Sequence, residues 1–508
     1  MSKWMKLSGS TAICALMTGS AAFADVTAQD VWGDWKSYMQ GFGYELIATE
    51  ATSGGTLTVS DITMGMTLPE GAGAMKMTIG ELSFTNNGDG TVTVTMPASQ
   101  EMKINVAPAD DLPADVTLDY TNDGFKMLVS GSVNDMTYSY SAASIGVNLK
   151  EVVVEGTAVP IGAAQVAVRD INGRSTVKTG NLREIMQSMK AGAITYNIDF
   201  ANPENAGEFA KVNGTLGLLS FDGTVNMPLG EFDAANMGEM LNAGFAVDGT
   251  YGYTGGNMNF HFADDGETVQ GSSSSESGSF SVGMSRDMLK YIVGAKGQKV
   301  NFMGSEVPFP IDFSFGEVLF KMVMPVSKTD EAQDFALGIT LGDFVTSDMI
   351  WGMIDPAGQL PRDPATVAFD LSGKVKLAFD MMDPEQMAAV ESGQMGMPGE
   401  VESLALNNLE VTAAGASLTG KGGFDLDFPT VMMSQGQEGI DGALDLRLSG
   451  ANGLMGKLVE MGLLPQEQVM SAQMMMGMFA VPAGEDVYTS KIEMKADGQV
   501  LANGQRLK

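Results

Sequence analysis

The sequence predicts a mainly β protein of the α+β class: one large, curved antiparallel sheet with short peripheral helices and a C-terminal helical hairpin. Apolar and polar residues alternate with a period of two through most of the chain, and clusters of Gly, Asn and Asp separate the alternating segments. Helical periodicity is confined to a few short segments. Because one side of almost every predicted strand is apolar, we expect a sheet with one apolar and one polar face.

Residues 1–24 are predicted to be a secretory signal peptide. Lys3 and Lys6 form a short basic region, an apolar run follows, and Ala22–Ala24 gives a small-residue cleavage pattern. A retained N-terminal anchor is the weaker alternative, because the apolar run is short and broken by Thr and Gly. We therefore expect cleavage after Ala24 and a periplasmic location.

The mature chain, residues 25–508, is predicted to be a single elongated, secreted β-rich domain. Two sub-lobes could meet near residues 265–285, where turn signals and serines cluster. The only cysteine, Cys14, lies within the predicted signal peptide. Disulfides, thiolate metal sites and cysteine nucleophiles are therefore not expected in the mature chain.

The first elements of the mature chain are predicted to be a helix and a β-hairpin. The hairpin turn is Asn86–Gly90, between strands that contain Leu82 and Val92. This acidic turn also resembles a calcium loop, but it lacks the alternating Asp ligands and the distal Glu of an EF-hand, so we favour the hairpin. The helix is indicated by apolar residues at spacings of three and four, namely Val31, Trp32, Trp35, Tyr38 and Met39.

Further strands follow the same alternation. The serines of Ser272–Ser275 could form a flexible linker, but turn residues flank them at strand spacing, so an exposed polar strand is favoured. The alternation changes phase across Asn407 and Asn408, which predicts a β-bulge. The clearest of these strands lie at 75–79, 311–315, 424–428 and 444–448.

The other predicted helices are short. In the C-terminal hairpin, Asn452 is expected to cap the first helix and Pro465 to begin the second. We expect Leu458 and Leu464 of this hairpin to be buried against the sheet. The remaining helices are predicted near 231–243, 285–293, 347–354 and 384–391.

The charge of the chain excludes one large class of partner. With 62 acidic and 29 basic residues, the formal net charge is −33. Binding of nucleic acid through phosphate neutralisation needs a surplus of Lys and Arg. The acidic surface is also repelled by anionic lipid headgroups. No stretch reaches the roughly 18 apolar residues of a membrane span, so the mature chain is predicted to lack a transmembrane segment.

Methionine is unusually frequent, at 40 of 508 residues. Methionine pairs on one strand face could hold Cu(I), fill a core or contact lipid. Without a thiolate in the mature chain and with a single histidine, the copper site is disfavoured. Core packing and lipid contact both remain open, because Met-rich apolar faces serve packing as well as variable ligands. The pairs are Met64 with Met66, Met75 with Met77, and Met322 with Met324.

Residue patterns for catalysis are scarce. The only histidine, His261, lies between Phe260 and Phe262 in an alternating segment, so its side chain is expected to face solvent. No Gly-x-Ser-x-Gly nucleophile elbow precedes a predicted helix. We therefore predict no enzyme activity and no catalytic, cofactor-binding or metal-binding residue. A hydrolase that uses two carboxylates is the third functional alternative, because Asp and Glu are abundant.

Arg362 stands between Pro361 and Asp363 in a chain that is poor in bases. It could contact an anionic partner. In so acidic a protein, however, an ion pair with a neighbouring carboxylate is favoured. We therefore do not assign Arg362 to a site.

Three groups of residues carry a family resemblance. They are Ser347–Trp351 with Asp355–Pro356 and 360–366, Gly462–Gln468 with Met474–Phe479, and Ala502–Arg506. These segments resemble an uncharacterised envelope family of Gram-negative bacteria, called domain of unknown function 2125. The likeness spans nearly the whole mature chain, and the C-terminal hairpin is its most specific part. The resemblance implies secretion and a shared β-rich fold, with no established activity and no functional residues.

A looser likeness, of architecture alone, is to the large periplasmic β-sheet proteins of the AsmA-like type, which implies envelope biogenesis or lipid movement. The few short helices are also too small to cover the apolar face of a sheet with so many strands. The sheet must therefore close on itself or leave an open apolar groove. The leading hypothesis is therefore a periplasmic, non-enzymatic protein that binds or shields apolar envelope molecules such as lipid. The alternative is a structural or interaction protein of the cell envelope with a closed Met-rich core.

Overall fold

The computed structural model describes residues 25–41, 43–67, 72–109, 112–159, 162–202, 205, 207–230, 237–307, 309–392 and 399–507. They form one sheet of 26 strands and seven short helices, and every strand pair within this part of the chain is antiparallel. The predicted mainly β fold is confirmed. The predicted signal peptide lies outside the described residues.

The strands β1 to β26 follow in chain order. Their bounds are Glu45–Ser53, Thr56–Thr67, Gly73–Asn86, Val92–Thr95, Ser99–Pro108, Ala114–Asp123, Lys126–Ser132, Asp135–Val154, Thr157–Val159, Ala164–Thr179, Leu182–Ala191, Ile194–Ala201, Phe209–Pro228, Ala246–Asp264, Glu267–Met284, Leu289–Gly304, Ile311–Met324, Gln333–Thr346, Ala365–Leu377, Gly399–Ala413, Ala416–Leu426, Ile440–Ser449, Val481–Gly484, Val487–Met494, Val500–Ala502 and Gln505–Arg506. The helices α1 to α7 are Ala28–Gly41, Met237–Asn242, Asp348–Ile354, Pro384–Glu391, Phe428–Met433, Ala451–Glu460 and Gln466–Phe479.

The sheet is an extended meander. From β13 to β22 each strand pairs with the next along the chain, and β24 continues beside β22. Near the N-terminus the sheet divides: β3 pairs with β4 through its last residues and with β5 through its first, and the two branches rejoin on β8. Strand β15 pairs with both of its neighbours, so the sheet is continuous across residues 265–285.

A line of interrupted pairing runs across the sheet, roughly perpendicular to the strands. At this line Asp170 of β10 and Ala143 of β8 are both left out of the ladder, and Gly255 of β14 and Gly217 of β13 are left out in the same way. Extra residues of this kind bend a strand. Residues at the line with φ in the left-handed region are Asp170 (52°), Gly255 (75°), Gly297 (60°) and Asp343 (52°).

Across the interruption, apolar residues stay on one face of the sheet although they are separated by an odd number of positions along the strand. Val168 and Ile171 flank Asp170, three positions apart, and both join one apolar cluster. Ala142 and Ala191 are buried in the same cluster. Side chains from both sides of the bend thus pack together, which places the apolar face on its inner side.

Helix α1 covers the apolar face at the N-terminal end of the sheet. The rings of Trp32 and Trp35 lie 5.9 and 5.3 Å from the ring of Phe84, whose side chain is fully buried. The same core contains Leu57 of β2 and Val177 of β10, strands that are several positions apart in the sheet. The sheet therefore curves around the helix.

A buried ion pair fixes α1 to the sheet. Arg183 of β11, only 8% exposed, donates from Nη1 and Nη2 to the two carboxylate oxygens of Asp34, at 2.5 and 2.7 Å. The Tyr138 hydroxyl of β8 donates to Asp34 Oδ2 at 2.9 Å. Burial, reinforced by the negative charge of Asp34, raises the pKa of Tyr138, so this hydroxyl remains a donor. The guanidinium also lies 5.0 Å from the ring centre of Tyr38.

Several local predictions are confirmed. Residues Asn86–Gly90 turn the chain between β3 and β4, and Ser272–Ser275 lie in β15. The register shifts at Asn407, as the predicted bulge requires. The Asn407 amide donates to Asp370 Oδ1 at 2.8 Å and to Ser372 Oγ at 2.9 Å, which holds the bulge to β19.

The predicted helix at 285–293 is wrong. A turn closed by Ser285 N donating to the Met288 carbonyl at 2.9 Å leads into β16. Leu289 and Tyr291 alternate with Lys290 across the two faces of this strand, which pairs with both β15 and β17. Tertiary pairing on both sides thus overrides a short helical spacing. The helices predicted at 347–354 and 384–391 are confirmed as α3 and α4, and α2 lies within 231–243, of which residues 231–236 lie outside the described part.

The C-terminal hairpin of α6 and α7 is confirmed, with Pro465 directly before α7. Asn452 is not the cap: Gly450 precedes the helix, and the Asn452 amide instead donates to Asp486 and Tyr488, at 3.0 and 2.8 Å. The expected burial of Leu458 and Leu464 is also wrong, since both are half-buried. The hairpin lies at the margin of the sheet, where little of its surface meets the strands.

We predict that Val469→Ala lowers the melting temperature more than Leu464→Ala does. Val469 is 5% exposed, and each buried methylene is worth about 0.8 kcal/mol, so removing two carbons costs roughly 2 kcal/mol with the cavity. Thermal unfolding of the two variants measures the difference. A larger loss in Leu464→Ala would contradict the observed packing of the hairpin.

We predict that Asp34→Ala destabilises the protein by about 3 to 5 kcal/mol, because it leaves the Arg183 guanidinium buried without its counter-charge. Urea unfolding measures this loss. Lys36→Ala is the matched control on the same helix: its ion pair with Glu50 is exposed, so we expect a loss of at most about 1 kcal/mol. Equal losses in the two variants would show that the buried pair does not fix α1.

Candidate site: the apolar face of the sheet

A continuous row of directly opposed residues crosses the sheet from β2 to β22. Two of its members are glycines, and all the others are apolar or aromatic. With strands about 4.8 Å apart, the row is roughly 75 Å long. Its members, in order, are Leu57, Phe84, Val94, Met127, Tyr140, Gly173, Met189, Phe221, Tyr251, Phe280, Val293, Phe320, Ile339, Phe369, Leu409, Gly420 and Leu446.

Two further rows flank this central row on the same face, two residues away along each strand except at the bulge of β20, where Leu406 and Leu409 are three residues apart. One runs through Val282, Tyr291, Met322, Leu337, Leu371, Leu406 and Leu444. The other runs through Leu219, Tyr253, Val318, Leu341, Val367, Val411 and Leu448. We call the three rows together the apolar lane.

The lane is covered at its N-terminal end and open further along. Under α1 the central-row residues Leu57, Phe84 and Val94 are 0–2% exposed. On β14 to β20, eight large side chains of the lane are 37–49% exposed, an apolar surface on the order of 500 Å², while others, such as Phe320 and Phe369, are half-buried. The eight exposed side chains are Tyr251, Tyr291, Val293, Leu337, Ile339, Leu341, Val367 and Val411.

Aromatic rings lie flat on the floor of the lane where glycines make room for them. A methyl group at Gly173 would lie 2.2 Å from the Tyr140 ring, and one at Gly278 would lie 2.4 Å from the Tyr253 ring. Any side chain there would lift the ring from the sheet. These glycines thus keep the floor shallow and apolar.

The opposite face of the same strands is polar and charged. Lys321 of β17 forms an ion pair with Asp370 of β19 at 3.0 Å, and Lys374 pairs with Asp334 at 3.0 Å. Lys290 pairs with Asp248 in the same way. Charge and apolar surface are therefore separated by the thickness of the sheet, and the lane itself carries no charged side chain in its three rows.

A cavity of about 340 Å³ lies where the cover of α1 ends. Its apolar walls include Trp35 and Met39 of the helix and Met127 and Ile185 of the strands. The ion pair of Asp34 and Arg183 also lines the cavity, and so does Gln187, whose amide donates to the Tyr140 hydroxyl at 3.1 Å. Since Met127 and Tyr140 belong to the central row, the cavity lies directly on that row, beside the helix.

The methionine pairs lie where the alternation predicts. Met64 lies opposite Met77, and Met66 opposite Met75, so these four thioethers share one face. Met322 is half-buried in the lane, and Met324, on the same face at the end of β17, is 43% exposed. The sequence could indicate these pairs but not the rows, because strand register depends on partners far away in the chain.

The residues considered for catalysis are not brought together. His261 lies on the polar face, half-buried, with its ring 4.7 Å from the ring of Phe209. Three carboxylates, Glu208, Asp264 and Asp265, come within 4.8 Å of one another at the end of β14. Exposed acidic turns commonly show this arrangement, and Glu208 already accepts bonds from the Asn202 and Asn205 amides at 2.6 Å.

Arg362 has the ion pair that the sequence favoured. Its Nη1 donates to Asp348 Oδ1 at 2.5 Å and so ties the loop after α3 to the start of that helix. The same loop is closed by buried Asp355, which accepts bonds from the backbone N–H groups of Leu360 and Gln359 at 2.7 and 2.9 Å. These donors lower the pKa of Asp355.

None of the helices in the described part of the chain is long and apolar enough to span a bilayer. Comparison with known proteins shows no matching family model, no matching curated protein and no matching solved structure.

Proposed function

We propose that the protein binds or shields apolar molecules of the cell envelope, with lipid acyl chains as the principal ligands, along the apolar lane. The observation that supports this proposal is the continuous central row, covered by α1 at one end and open from β14 onward. An apolar surface of this size is at the upper end of what a monomeric protein leaves in water, and the largest such patch is often functional. An acyl chain on the lane gains about 0.8 kcal/mol for each methylene that it buries.

The chemistry of the lane suits flexible chains better than a rigid ligand. Its surface combines unbranched Met322 with aliphatic Leu337 and Ile339 and with rings such as Tyr291. Such a floor offers dispersion contacts without fixed hydrogen-bond partners, so ligands of different length and unsaturation fit equally. The repulsion between the acidic polar face and anionic headgroups favours an orientation in which the lane faces the lipid.

We further propose a non-enzymatic role in the periplasm and membership of the envelope family that the sequence resembles. The alternative function is that of an envelope interaction protein in which a partner protein covers the lane. The same exposed side chains would then form the core of an interface. Bound acyl chains and a bound protein are distinguishable by mass.

We predict that Ile339→Asp reduces binding of a fluorescent fatty acid at least about tenfold, because a charge then stands in the central row. Ile339 is 43% exposed, so the new carboxylate stays hydrated and the fold persists. Thr340→Asp is the matched control, one residue along the same strand and on the polar face, and should bind like the unmodified protein. Titration followed by fluorescence gives the three dissociation constants.

Native mass spectrometry of protein gently isolated from its own envelope provides the second readout. Bound acyl species in the unmodified protein, absent from Ile339→Asp, are expected. A folded, ligand-free monomer that takes up no apolar probe would end the lipid proposal and leave the interaction protein. Equal loss of binding in both aspartate variants would show that charge, rather than the lane, controls uptake.

We predict that the exported protein begins at Asp25, because Ala22–Ala24 has the pattern of a signal-peptidase site. N-terminal sequencing of protein from the periplasmic fraction checks this. Recovery of residues 1–24 on a soluble cytoplasmic product would contradict both the cleavage and the proposed location.

A further inference from the structure

Two helices at the margins of the sheet present methionines to solvent. On α7, Met470, Met474, Met475 and Met478 are 55–70% exposed, and on α5, Met432 and Met433 are 52% and 88% exposed. Helix α7 turns Val469 inward, and the spacing of four between Met470, Met474 and Met478 forms an outward stripe. An apolar thioether at such positions contributes little to packing.

Other methionines are protected to very different degrees. Met136 and Met227 are 1% and 3% exposed, and both contribute to the packing of the sheet. Met127 and Met189 of the central row are half-buried. Met186 of β11 and Met353 of α3 are 52% and 57% exposed, so they compete with the α5 and α7 methionines for oxidant. The chain thus contains graded classes of one oxidisable side chain, and it has no cysteine beyond residue 14 to react first.

We propose that the exposed methionines of α5 and α7 are a sacrificial oxidation site for hypochlorous acid and related two-electron oxidants. The thioether sulfur attacks the oxygen of hypochlorous acid, an S–O bond forms and the O–Cl bond breaks. Chloride leaves, and the hydroxyl proton passes to water. Sulfur is oxidised by two electrons to the sulfoxide while chlorine is reduced to chloride, and methionine sulfoxide reductases restore the thioether.

The position of these residues makes the modification tolerable. Conversion of a core methionine to its polar sulfoxide disrupts packing. On the outer stripe of α7 the new oxygen points into water, and Val469 on the inner side is unchanged. Oxidant is therefore consumed at the margins before it damages the half-buried methionines of the central row.

The test is a titration of the full mature chain with hypochlorous acid below one equivalent per methionine, followed by peptide mass mapping. We expect the oxidised fraction of the α5 and α7 methionines to exceed that of Met136 and Met227 at least about tenfold. The melting temperature should stay unchanged while these sulfoxides form, and both reductase types together should remove them. Uniform oxidation, or a melting temperature that falls with the first sulfoxides, would overturn the proposal.

A variant tests whether the exposed methionines protect the half-buried methionines of the central row from oxidation. Replacing Met470, Met474, Met475 and Met478 with leucine conserves volume and helix propensity. At the same oxidant dose, the oxidised fractions of Met127 and Met189 should then rise, by about twofold, because four of the eight methionines that are more than half exposed in the described part of the chain are gone and Met432, Met433, Met186 and Met353 remain. The control Met136→Leu/Met227→Leu removes buried sulfurs and should leave both fractions unchanged. No rise in the first variant would show that the exposed methionines protect nothing.

Discussion

Strand register is the constraint on which the rest of this structure depends. Side chains alternate between the two faces of a strand, so a slip of one residue between neighbours would move every apolar side chain to the polar face. The central row from Leu57 to Leu446 exists only because each ladder keeps its phase. At the bend, residues such as Asp170 and Ala143 leave the ladder together, so both strands gain a residue and the phase survives.

The two ends of the sheet are stabilised in different ways. At the N-terminal end a conventional core forms under α1, with buried side chains from several strands and the Asp34–Arg183 pair within it. Beyond β13 the buried apolar residues are few and scattered, and the ladders supply most of the order. Rings such as Tyr253 over Gly278 add local packing without a second layer. The lane is open and the core is sparse for the same reason, namely that no second layer of the described residues covers the sheet beyond β13.

Much of the fold can be predicted from the sequence because its signals are local. The turn at Asn86–Gly90, the bulge at Asn407 and the proline before α7 each act within a few residues. The helix expected at 285–293 was wrong because β16 is specified by its two partner strands rather than by its own spacing. Burial of Leu458 failed similarly, since apolar periodicity does not show where a hairpin meets the sheet.

The candidate site was only partly predictable. Alternation indicated one apolar face and placed Met322 and Met324 on it. The rows themselves, and the partnership of Asp34 with Arg183, join residues far apart in the chain, and no local pattern encodes such contacts. The role of Gly173 is also not visible in the sequence, because its missing side chain makes room for the ring of Tyr140 on a neighbouring strand.

The meander also sets an order of assembly. Most strands pair with a neighbour made only a few residues earlier, so most contacts can form as soon as a hairpin is complete. Helix α1 is the exception, since Asp34 and Arg183 are 149 residues apart. At 5–20 residues per second, synthesis of the intervening segment takes about 7 to 30 s. The tryptophans of this helix can pack on Phe84 as soon as β3 has been made, but the helix is not fixed to the sheet by its ion pair until Arg183 follows.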